Sequence, residues 1–311
     1  SIIGASRAPT TSAERFGCKI EAPVASDSSS FYGGVDVSVE SGDFSLGENG
    51  NLLGSFLSVT GQSTTEDTRY FFAGSVIPIG LSISDFSSQS ANDTLDFQSF
   101  TGPLSIDLAN FTMGVGSFSG IESFVGNGSN SSIQGGSLGD IITINTTDGG
   151  TFEVFDTPNN FFTSTNIAAD FAPDDPKADS SIASDFAVQT PFSNSYAFQN
   201  FGKVEGLGGD DVFNVELESG DRFNGILDGG NDNDLFEILP GGSVNEIVGQ
   251  GGTNTLSYRM HSNSVFVDYS DESATQVDRF RDIGAIIGGS GQDTILGTNG
   301  PDIVTVTGDG S

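Results

Sequence analysis

The feature that most constrains the fold of this chain is a pair of adjacent nonapeptides between Gly288 and Thr305, which read GGSGQDTIL and GTNGPDIVT. Both follow a spacing in which glycines at the first, second and fourth places precede an aspartate at the sixth and a large apolar residue at the eighth. The first nonapeptide carries all five of these residues and the second carries four. Glycines permit the positive φ angles of tight turns, and the alternation after them indicates a short strand. Each nonapeptide therefore predicts one turn and one strand.

Stacking such units places equivalent residues in columns. Ile295 and Val304 would share an apolar column inside the stack, and Asp293 and Asp302 would share a column at the turns. Carboxylate and turn-carbonyl oxygens are hard ligands that suit Ca²⁺, and a column of aspartates repels itself unless a cation neutralises it. The spacing predicts Ca²⁺ at these turns. A hairpin rich in glycine and aspartate, without a metal, is the alternative.

These nonapeptides resemble the RTX family of calcium-binding β-roll proteins, and the resemblance implies stacked strands with calcium bound at their turns. The longer module around them, over 90–149 and 200–311, is similar to modules repeated in very large bacterial surface and secreted proteins. Weaker copies of the nonapeptide lie at 135–142, 205–213, 229–237 and 249–257, with Asp210 at the sixth place of the second and Asn254 replacing the aspartate of the last. The candidate calcium ligands are Asp140, Asp210, Asp211, Asp228, Asp232, Asp234, Asp293 and Asp302.

Part of the chain recurs. Asp93-Thr94-Leu95 matches Asn254-Thr255-Leu256 at a shift of 161 residues (254 − 93), and Phe118 matches Phe280 at 162 (280 − 118). A long period with shared spacing indicates a tandem duplication in which each copy is a block of several strands. The predicted fold is therefore all-β, an elongated β-solenoid or β-roll-like stack in two duplicated blocks. The predicted divisions are an N-terminal extension or arm at 1–32, block A at 33–149, a connecting segment at 150–199 and block B at 200–311.

The charge of the chain restricts its partners. Forty-two acidic residues against ten basic ones give a net charge of −32. Nucleic acid and anionic lipid are poor partners for such a surface because phosphate binding needs clustered Lys and Arg, whereas divalent cations are good partners. The 26 phenylalanines favour a folded core over disorder. The absence of an 18-residue apolar run predicts no membrane insertion.

The sequence does not predict an enzyme. It contains no G-x-S-x-G, H-E-x-x-H or phosphate-binding loop. One histidine, His261, and one cysteine, Cys18, exclude a His-rich metal site and an intrachain disulfide; His261 is predicted to lie in a solvated turn and Cys18 to be a small buried residue. The basic residues near block B are predicted to form surface ion pairs: Lys203, Arg222, Arg259, Arg279 and Arg281.

The predicted calcium-binding solenoid suggests where the protein is located and how it assembles. The first ten residues lack the charged start and apolar core of a signal peptide, which suggests a trimmed N-terminus, and calcium at millimolar concentration predicts an extracellular or cell-surface location. A solenoid exposes strands at both ends, and the repeat stops in mid-pattern at TVTGDGS, so self-association end to end into a surface layer, fibre or adhesin is expected. A carbohydrate-binding adhesin module is the alternative. A calcium-dependent polysaccharide lyase or hydrolase, which would need Lys or Arg beside calcium, is the further alternative.

Overall fold

A computed structural model describes residues 18–20, 35–39, 43–46, 57–61, 69–75, 77, 80–85, 92–155 and 193–298. These residues form twenty-four β-strands and no helix, so the predicted all-β class is confirmed. Nothing in these ranges is therefore a helix that could span a membrane. Val304 and the aspartate Asp302 of the second nonapeptide lie outside the described residues.

The strands fall on both sides of the gap at 156–192. Before it lie β1 (Cys18–Ile20), β2 (Val35–Val39), β3 (Asp43–Leu46), β4 (Leu57–Gly61), β5 (Arg69–Gly74), β6 (Ser82–Asp85), β7 (Thr94–Phe100), β8 (Leu104–Asp107), β9 (Thr112–Met113), β10 (Gly116–Ser119), β11 (Ser123–Gln134), β12 (Ile141–Thr146) and β13 (Gly149–Phe155). After it lie β14 (Ser193–Leu207), β15 (Val212–Val215), β16 (Arg222–Gly230), β17 (Leu235–Ile238), β18 (Ser243–Gln250), β19 (Asn254–Ser257), β20 (Phe266–Asp268), β21 (Ser273–Ala274), β22 (Val277–Arg281), β23 (Ile283–Ile287) and β24 (Thr294–Leu296).

Most strands pair in parallel with a strand two to four places further along the chain. One series runs β1, β3, β5, β7, β11, β14, β16, β18 and β22. A second runs β2, β4, β6 and β10, and a third runs β12, β15, β17, β19 and β23. Antiparallel pairs occur only where β9, β13 and β21 fold back on their neighbours, within the part of the chain that the structure describes.

The core consists of apolar residues brought together by this register. Ile142 pairs with Phe213, Phe213 with Phe236, and Phe236 with Leu256, so one apolar residue of each strand faces its equivalent in the next. All four side chains are fully buried, and the rings of Phe213 and Phe236 stack with centroids 4.8 Å apart. The period-two pattern of the sequence supplies these residues because alternate side chains of a strand share a face. The core is thus a set of columns that cross the strands.

The same pairings occur in both recurring stretches. Leu95 pairs with Phe124 and, further on, Leu256 pairs with Ile286, at shifts of 161 (256 − 95) and 162 (286 − 124). Likewise, the Ile106–Ile133 pair of β8 and β11 recurs as the Val267–Ile295 pair of β20 and β24. The fold-back strands correspond as well, since β9 lies against β8 as β21 lies against β20. Residues 93–134 and 254–296 therefore share one pattern of strand pairing.

Two predicted divisions contain strands of this same sheet. β1 lies inside the predicted N-terminal extension, yet its Cys18 pairs in parallel with Phe44 of β3. β13 and the start of β14 lie inside the predicted connecting segment and pair with each other, for example Phe152 with Tyr196. The aromatic residues that begin at Phe152 are typical of such a strand.

Candidate metal-binding turns

Four polar residues form a column in the interior, directly before the apolar column of the core. This aspartate column consists of Asp140, Asp211, Asp234 and Asn254, each two residues before the apolar residue of its strand. All four are buried. Period-two alternation places them on the same side as Ile142, Phe213, Phe236 and Leu256, so they point inward.

Hydrogen bonds link the aspartate column from one strand to the next. The backbone N–H of Asp140 donates to Oδ1 of Asp211 over 2.6 Å, and that of Asp211 donates to Oδ1 of Asp234 over 3.0 Å. The backbone N–H of Asp234 donates to Oδ1 of Asn254 over 2.9 Å. Each side chain therefore satisfies a backbone donor of its neighbour at a point where the chain turns.

The glycine five residues before each column residue makes room for that residue. A Cβ at Gly135, Gly206 or Gly229 would overlap the carboxyl group of Asp140, Asp211 or Asp234. Gly249 stands in the same relation to the amide of Asn254. None of these four glycines has a positive φ. The first glycine of the nonapeptide is therefore required by close approach of a side chain and not, as the sequence suggested, by turn geometry.

Positive φ angles instead occur at the second and fourth places of three turns. These turns, 206–211, 229–234 and 249–254, share one backbone shape. Their left-handed residues are Leu207 and Gly209, Gly230 and Asp232, and Gln250 and Gly252. Because left-handed φ is costly for most residues with a Cβ, glycine is the natural choice at both places. Leu207, Asp232 and Gln250 are the exceptions, of which aspartate adopts this conformation most readily. The equivalent glycines Gly289 and Gly291 have no positive φ, so the turn that matches the nonapeptide best has a different shape.

The register corrects the predicted alignment of 205–213. Val212 pairs with Leu235 and Phe213 with Phe236, so Asp211, and not Asp210, is equivalent to Asp234. Two adjacent aspartates and three glycines allowed either alignment in the sequence. Hydrogen bonding to the next strand and burial decide between them, because Asp211 is fully buried and Asp210 is only partly buried.

Asp210 and Asp232 lie on the outer side of the turns. Oδ1 of Asp210 accepts the backbone N–H of Asn233 over 2.8 Å, and Oδ2 of Asp232 accepts that of Gly209 over 3.2 Å. Oδ1 of Asn233 accepts the N–H of Thr253 over 2.8 Å, which continues the outer series into the next turn. The outer carboxylates thus also serve to connect successive turns.

The two remaining described candidates lie apart from this group. Asp228, on β16, is buried and forms an ion pair with Nζ of Lys203 at 2.6 Å. Asp293 is exposed, and its Oδ1 accepts the backbone N–H of Val265 over 2.9 Å. Its Oδ2 lies beside Gly288 and receives no hydrogen bond from the described residues.

Among the described residues, no group of three or more His, Cys, Asp or Glu side chains is arranged to hold a metal ion. A cation at a turn would therefore depend on carbonyl oxygens as well as a carboxylate.

Burial governs the charge of the column. The pKa of Asp234 rises from 3.8 to about 8, chiefly through desolvation. A hydrogen bond from the N–H of Asp211 lowers this pKa, and the nearby charges of Asp210, Asp232 and Asp228 contribute to the rise. Desolvation also raises the pKa of Asp211 well above 3.8, and the negative charge of Asp140 is the next largest cause of this rise. A carboxyl group taken out of water without a cation favours its neutral form.

The sequence predicted ion pairs for five basic residues near these turns, and four of the five form them among the described residues. Lys203 contacts Glu205 and Asp228, and Arg222 contacts Asp278. Arg281 contacts Glu246, and Arg259 contacts Glu237 at 2.6 Å. Glu237 is buried, and the sequence analysis did not identify it as the partner of Arg259. The only signal in the sequence is that the two residues lie 22 positions apart (259 − 237), which is close to the separation of residues on paired strands.

The prediction of a solvated turn for His261 is wrong. The side chain is buried, its Nε2 lies 3.0 Å from the carbonyl oxygen of Ile238, and its ring packs edge-on against Tyr258. Burial lowers the pKa of His261. The residues next to His261 in the sequence are polar, which suggested an exposed side chain. Its burial could not be seen there because Ile238, which lies against it, belongs to another strand.

Comparison of the chain with protein-family models, curated proteins and solved structures found no significant match.

Proposed function

We propose that the chain is an extracellular structural protein, a calcium-stabilised unit of a surface layer, fibre or adhesin that assembles end to end. In this proposal the parallel strands coil as a β-solenoid or β-roll in two duplicated blocks. The continuous parallel register is the observation that carries it. Successive partners such as Phe44, Tyr70 and Leu95 lie 26 (70 − 44) and 25 (95 − 70) residues apart, which is about one turn of a coil per pair of strands.

Strands at the two ends of the pairing series support assembly. Among the described residues, β1 and β2 each pair on one side only, and so do β23 and β24 at the opposite end. A strand with an unpaired edge presents free N–H and C=O groups to another chain. Because all of these pairings are parallel, β1 and β2 of one copy would extend β23 and β24 of another in the same direction. Such a head-to-tail contact repeats without closing and gives a filament.

Calcium would act at the C-terminal end of this series. Asp293 offers an exposed carboxylate, and Asp302 is expected to follow it by one nonapeptide, with turn carbonyls between them. When bound, Ca²⁺ would supply positive charge that offsets the repulsion within a chain of net charge −32. The RTX resemblance of this stretch supports the same placement.

The test is sedimentation velocity and electron microscopy of the full chain with millimolar calcium or with chelator. Calcium is expected to give elongated assemblies, and chelator is expected to dissolve them. Leu296→Lys places a charge on the exposed face of β24 and should weaken assembly. Val115→Lys, at another exposed apolar residue, in the turn between β9 and β10, is the control. Monomers under every condition would refute the proposal.

A carbohydrate-binding module is the second candidate because one aromatic ring, Phe266, is 45% exposed on β20. Aromatic faces stack on sugars, and the corresponding position in the first stretch, Ser105 (266 − 161), is polar. A glycan array with wild type and Phe266→Ser distinguishes this function. Binding that the substitution abolishes would favour it, and an array without signal would exclude it for the glycans tested.

A further inference from the structure

Asparagine followed by any residue and then by serine or threonine occurs in only one part of this chain. Between residues 92 and 145, every asparagine stands in this N-x-S/T pattern: Asn92, Asn110, Asn127, Asn130 and Asn145. None of the fifteen asparagines in the rest of the sequence does so (20 − 5). The pattern is the acceptor for N-linked oligosaccharides in exported proteins and is used where it lies on the surface. Its confinement to one stretch indicates a cause that acts on that stretch.

The outer face of the same stretch lacks charge. Residues 93–134, all of which the structure describes, contain four charged residues, and none of these is exposed. Residues 254–296 have the same strand pairing, as with Leu95–Phe124 and Leu256–Ile286. That second stretch exposes seven charged residues: Asp271, Glu272, Asp278, Arg279, Arg281, Asp282 and Asp293. The two stretches therefore share a fold but differ in how their outer faces are hydrated.

Asn110 shows the difference at one position. Its backbone N–H donates to Oδ1 of Asp107 over 2.9 Å in the turn after β8, as that of Asp271 donates to Oδ1 of Asp268 over 3.2 Å in the turn after β20. Asn110 and Asp271 are both exposed. One turn therefore presents an amide in the first stretch and a carboxylate in the second. An oligosaccharide on the amide would supply the hydration that the carboxylate supplies.

Asn145 has the most accessible acceptor group. It lies at the end of the hairpin that joins β12 to β13, where Ile144 pairs with Gly150. Asn145 and Thr147, the threonine of its pattern, are both exposed. Neither side chain forms a hydrogen bond with another described residue. Both groups that an oligosaccharide transferase reads, the amide and the hydroxyl, are thus accessible, and a sugar on Nδ2 would extend into solvent without breaking a contact of the fold.

Asn127 carries the same pattern in a different environment. Its Nδ2 donates to the carbonyl oxygens of Phe100 over 2.9 Å and Gly102 over 2.8 Å, so both amide hydrogens are used. Its Oδ1 is buried. Attachment of a sugar replaces one hydrogen of Nδ2, which would break one of these bonds and force the sugar against a neighbouring strand. The role of this side chain is therefore to connect strands.

We propose that Asn145 carries an N-linked oligosaccharide in the exported protein, that the exposed residues Asn92, Asn110 and Asn130 are further acceptors, and that Asn127 is not one. The donor class is an oligosaccharide attached to a lipid pyrophosphate. Nδ2 of Asn145 forms a bond to the anomeric carbon of the sugar while the bond from that carbon to the pyrophosphate oxygen breaks. The lipid pyrophosphate leaves, and one Nδ2 proton passes to a base of the transferase. This inference rests on the extracellular location in the proposed function but on neither calcium nor assembly.

The test is mass spectrometry of glycopeptides from the full chain, produced and exported by the organism in which it occurs. The sequence has no Lys or Arg between Arg69 and Lys177, so trypsin would leave all five asparagines in one peptide. Chymotrypsin separates most of them, and electron-transfer fragmentation assigns the sugar within each peptide. Asn145 is expected to carry hexose or N-acetylhexosamine, and Asn127 is expected to be unmodified.

Substitutions at the two exposed groups separate the modification from the fold. Asn145→Gln removes the acceptor and Thr147→Val removes the hydroxyl, so each should reduce the mass of the protein by one oligosaccharide. Thr147→Ser should retain it. All three should leave the melting temperature of the enzymatically deglycosylated chain unchanged, because these side chains contact no other described residue. Asn127→Ala is the matched control: it should leave the sugar content unchanged and lower the melting temperature, since two carbonyl oxygens lose their donor.

The outcomes distinguish this inference from the proposed function. An exported chain with unmodified Asn145 would refute the inference and leave the structural function standing. A sugar on Asn127 would refute it as well, because the hydrogen bonds of that amide would then not protect it. Sugars on a chain that stays monomeric with calcium would support the inference and refute assembly. A chain that is retained inside the cell without sugars would refute both.

Discussion

The aspartate column and the turn at 288–293 share one sequence spacing but provide different environments. In the column, Asp211 and Asp234 are buried and bonded to the backbone of a neighbouring strand. In the turn at 288–293, Asp293 follows Gly288 by the same five residues, yet it is exposed and bonded only to Val265 among the described residues. The difference arises because the column is covered by turns on both sides. The motif thus specifies where the side chain points, whereas the neighbouring strands determine its solvation and charge.

The largest expected difference between the two regions concerns the apolar residue at the eighth place. Phe236 is fully buried and stacked on Phe213, whereas Ile295 is only partly buried. Phe236→Ala should lower the free energy of unfolding by about 4 kcal/mol, because it removes buried area and leaves a cavity. Ile295→Ala should cost about 1 kcal/mol. Chemical denaturation measures both, and equal losses would mean that the two columns are equally covered.

The next largest difference is expected in how much stability is lost when the aspartate of each region is replaced. Asp140→Ala leaves the N–H groups of Gly136 and Phe155 without their acceptor, at an expected cost of about 3 kcal/mol. Asp293→Ala exposes one N–H, that of Val265, near solvent and should cost less than about 1 kcal/mol. The same denaturation experiment in chelator compares them. A cost for Asp293→Ala as large as that for Asp140→Ala would show that the C-terminal turn is a second interior column.

The glycine at the first place of each turn allows the space around the two aspartates to be compared. Gly229→Ala forces a Cβ into the carboxyl group of Asp234 and should cost about 2 kcal/mol. Gly288→Ala meets the exposed Asp293 carboxyl, which can move into solvent, so its cost should be about half as large. Combining Gly229→Ala with Asp234→Ala should recover part of the loss. A strictly additive double variant would argue against the proposed clash.

Calcium is expected to stabilise the turn at 288–293 and not the aspartate column, whereas the substitutions above affect the column more. Millimolar calcium should raise the free energy of unfolding by about 1 kcal/mol through the C-terminal turn, given the weak affinity of extracellular sites. Asp293→Asn should abolish this gain, and Asp234→Asn should retain it. Isothermal titration calorimetry with both variants measures the effect. If Asp234→Asn abolished it, calcium would bind at the column.

The smallest effect concerns backbone strain in the regular turns. Leu207 has φ of +77°, at a place where the equivalent Gly230 has φ of +102°. Leu207→Gly should stabilise the chain by about 0.5 kcal/mol, because relief of a left-handed conformation slightly exceeds the added entropy of the unfolded chain. The control is Gly230→Leu, which should destabilise by more than that. A loss of stability in Leu207→Gly would mean that side-chain packing outweighs strain.

Much of the strand pattern could be predicted from the sequence. The spacing of Asp140 and Ile142 predicted a turn followed by a strand, and β12 begins at Ile141. Val35, Val37 and Val39 also alternate with polar residues, which is typical of a strand, and β2 lies there. The pairs at shifts of 161 and 162 residues anticipated which residues occupy equivalent registers, as with Leu95 and Leu256. These features are local, or repeat in the sequence, and therefore leave a direct trace there.

The environment of the candidate ligands could not be predicted in the same way. Asp210 and Asp211 are adjacent and chemically identical, so only the register with Asp234 separates the outer residue from the inner one. His261 resembles a surface residue until Ile238, 23 positions earlier (261 − 238), is brought beside it. Such contacts join residues that have no fixed relation in the sequence.

By itself, the sequence determined an all-β chain with turns at glycines, inward apolar columns and one residue column beside them, because period two and glycine spacing act within a few residues. Only the tertiary structure decided that the column aspartates are buried acceptors of backbone hydrogen bonds while Asp293 remains exposed. The physical reason is that the solvation of a carboxyl group depends on what lies against it. For Asp211 and Asp234 that is the backbone N–H of Asp140 and of Asp211, which lie 71 and 23 residues away in the chain (211 − 140 and 234 − 211).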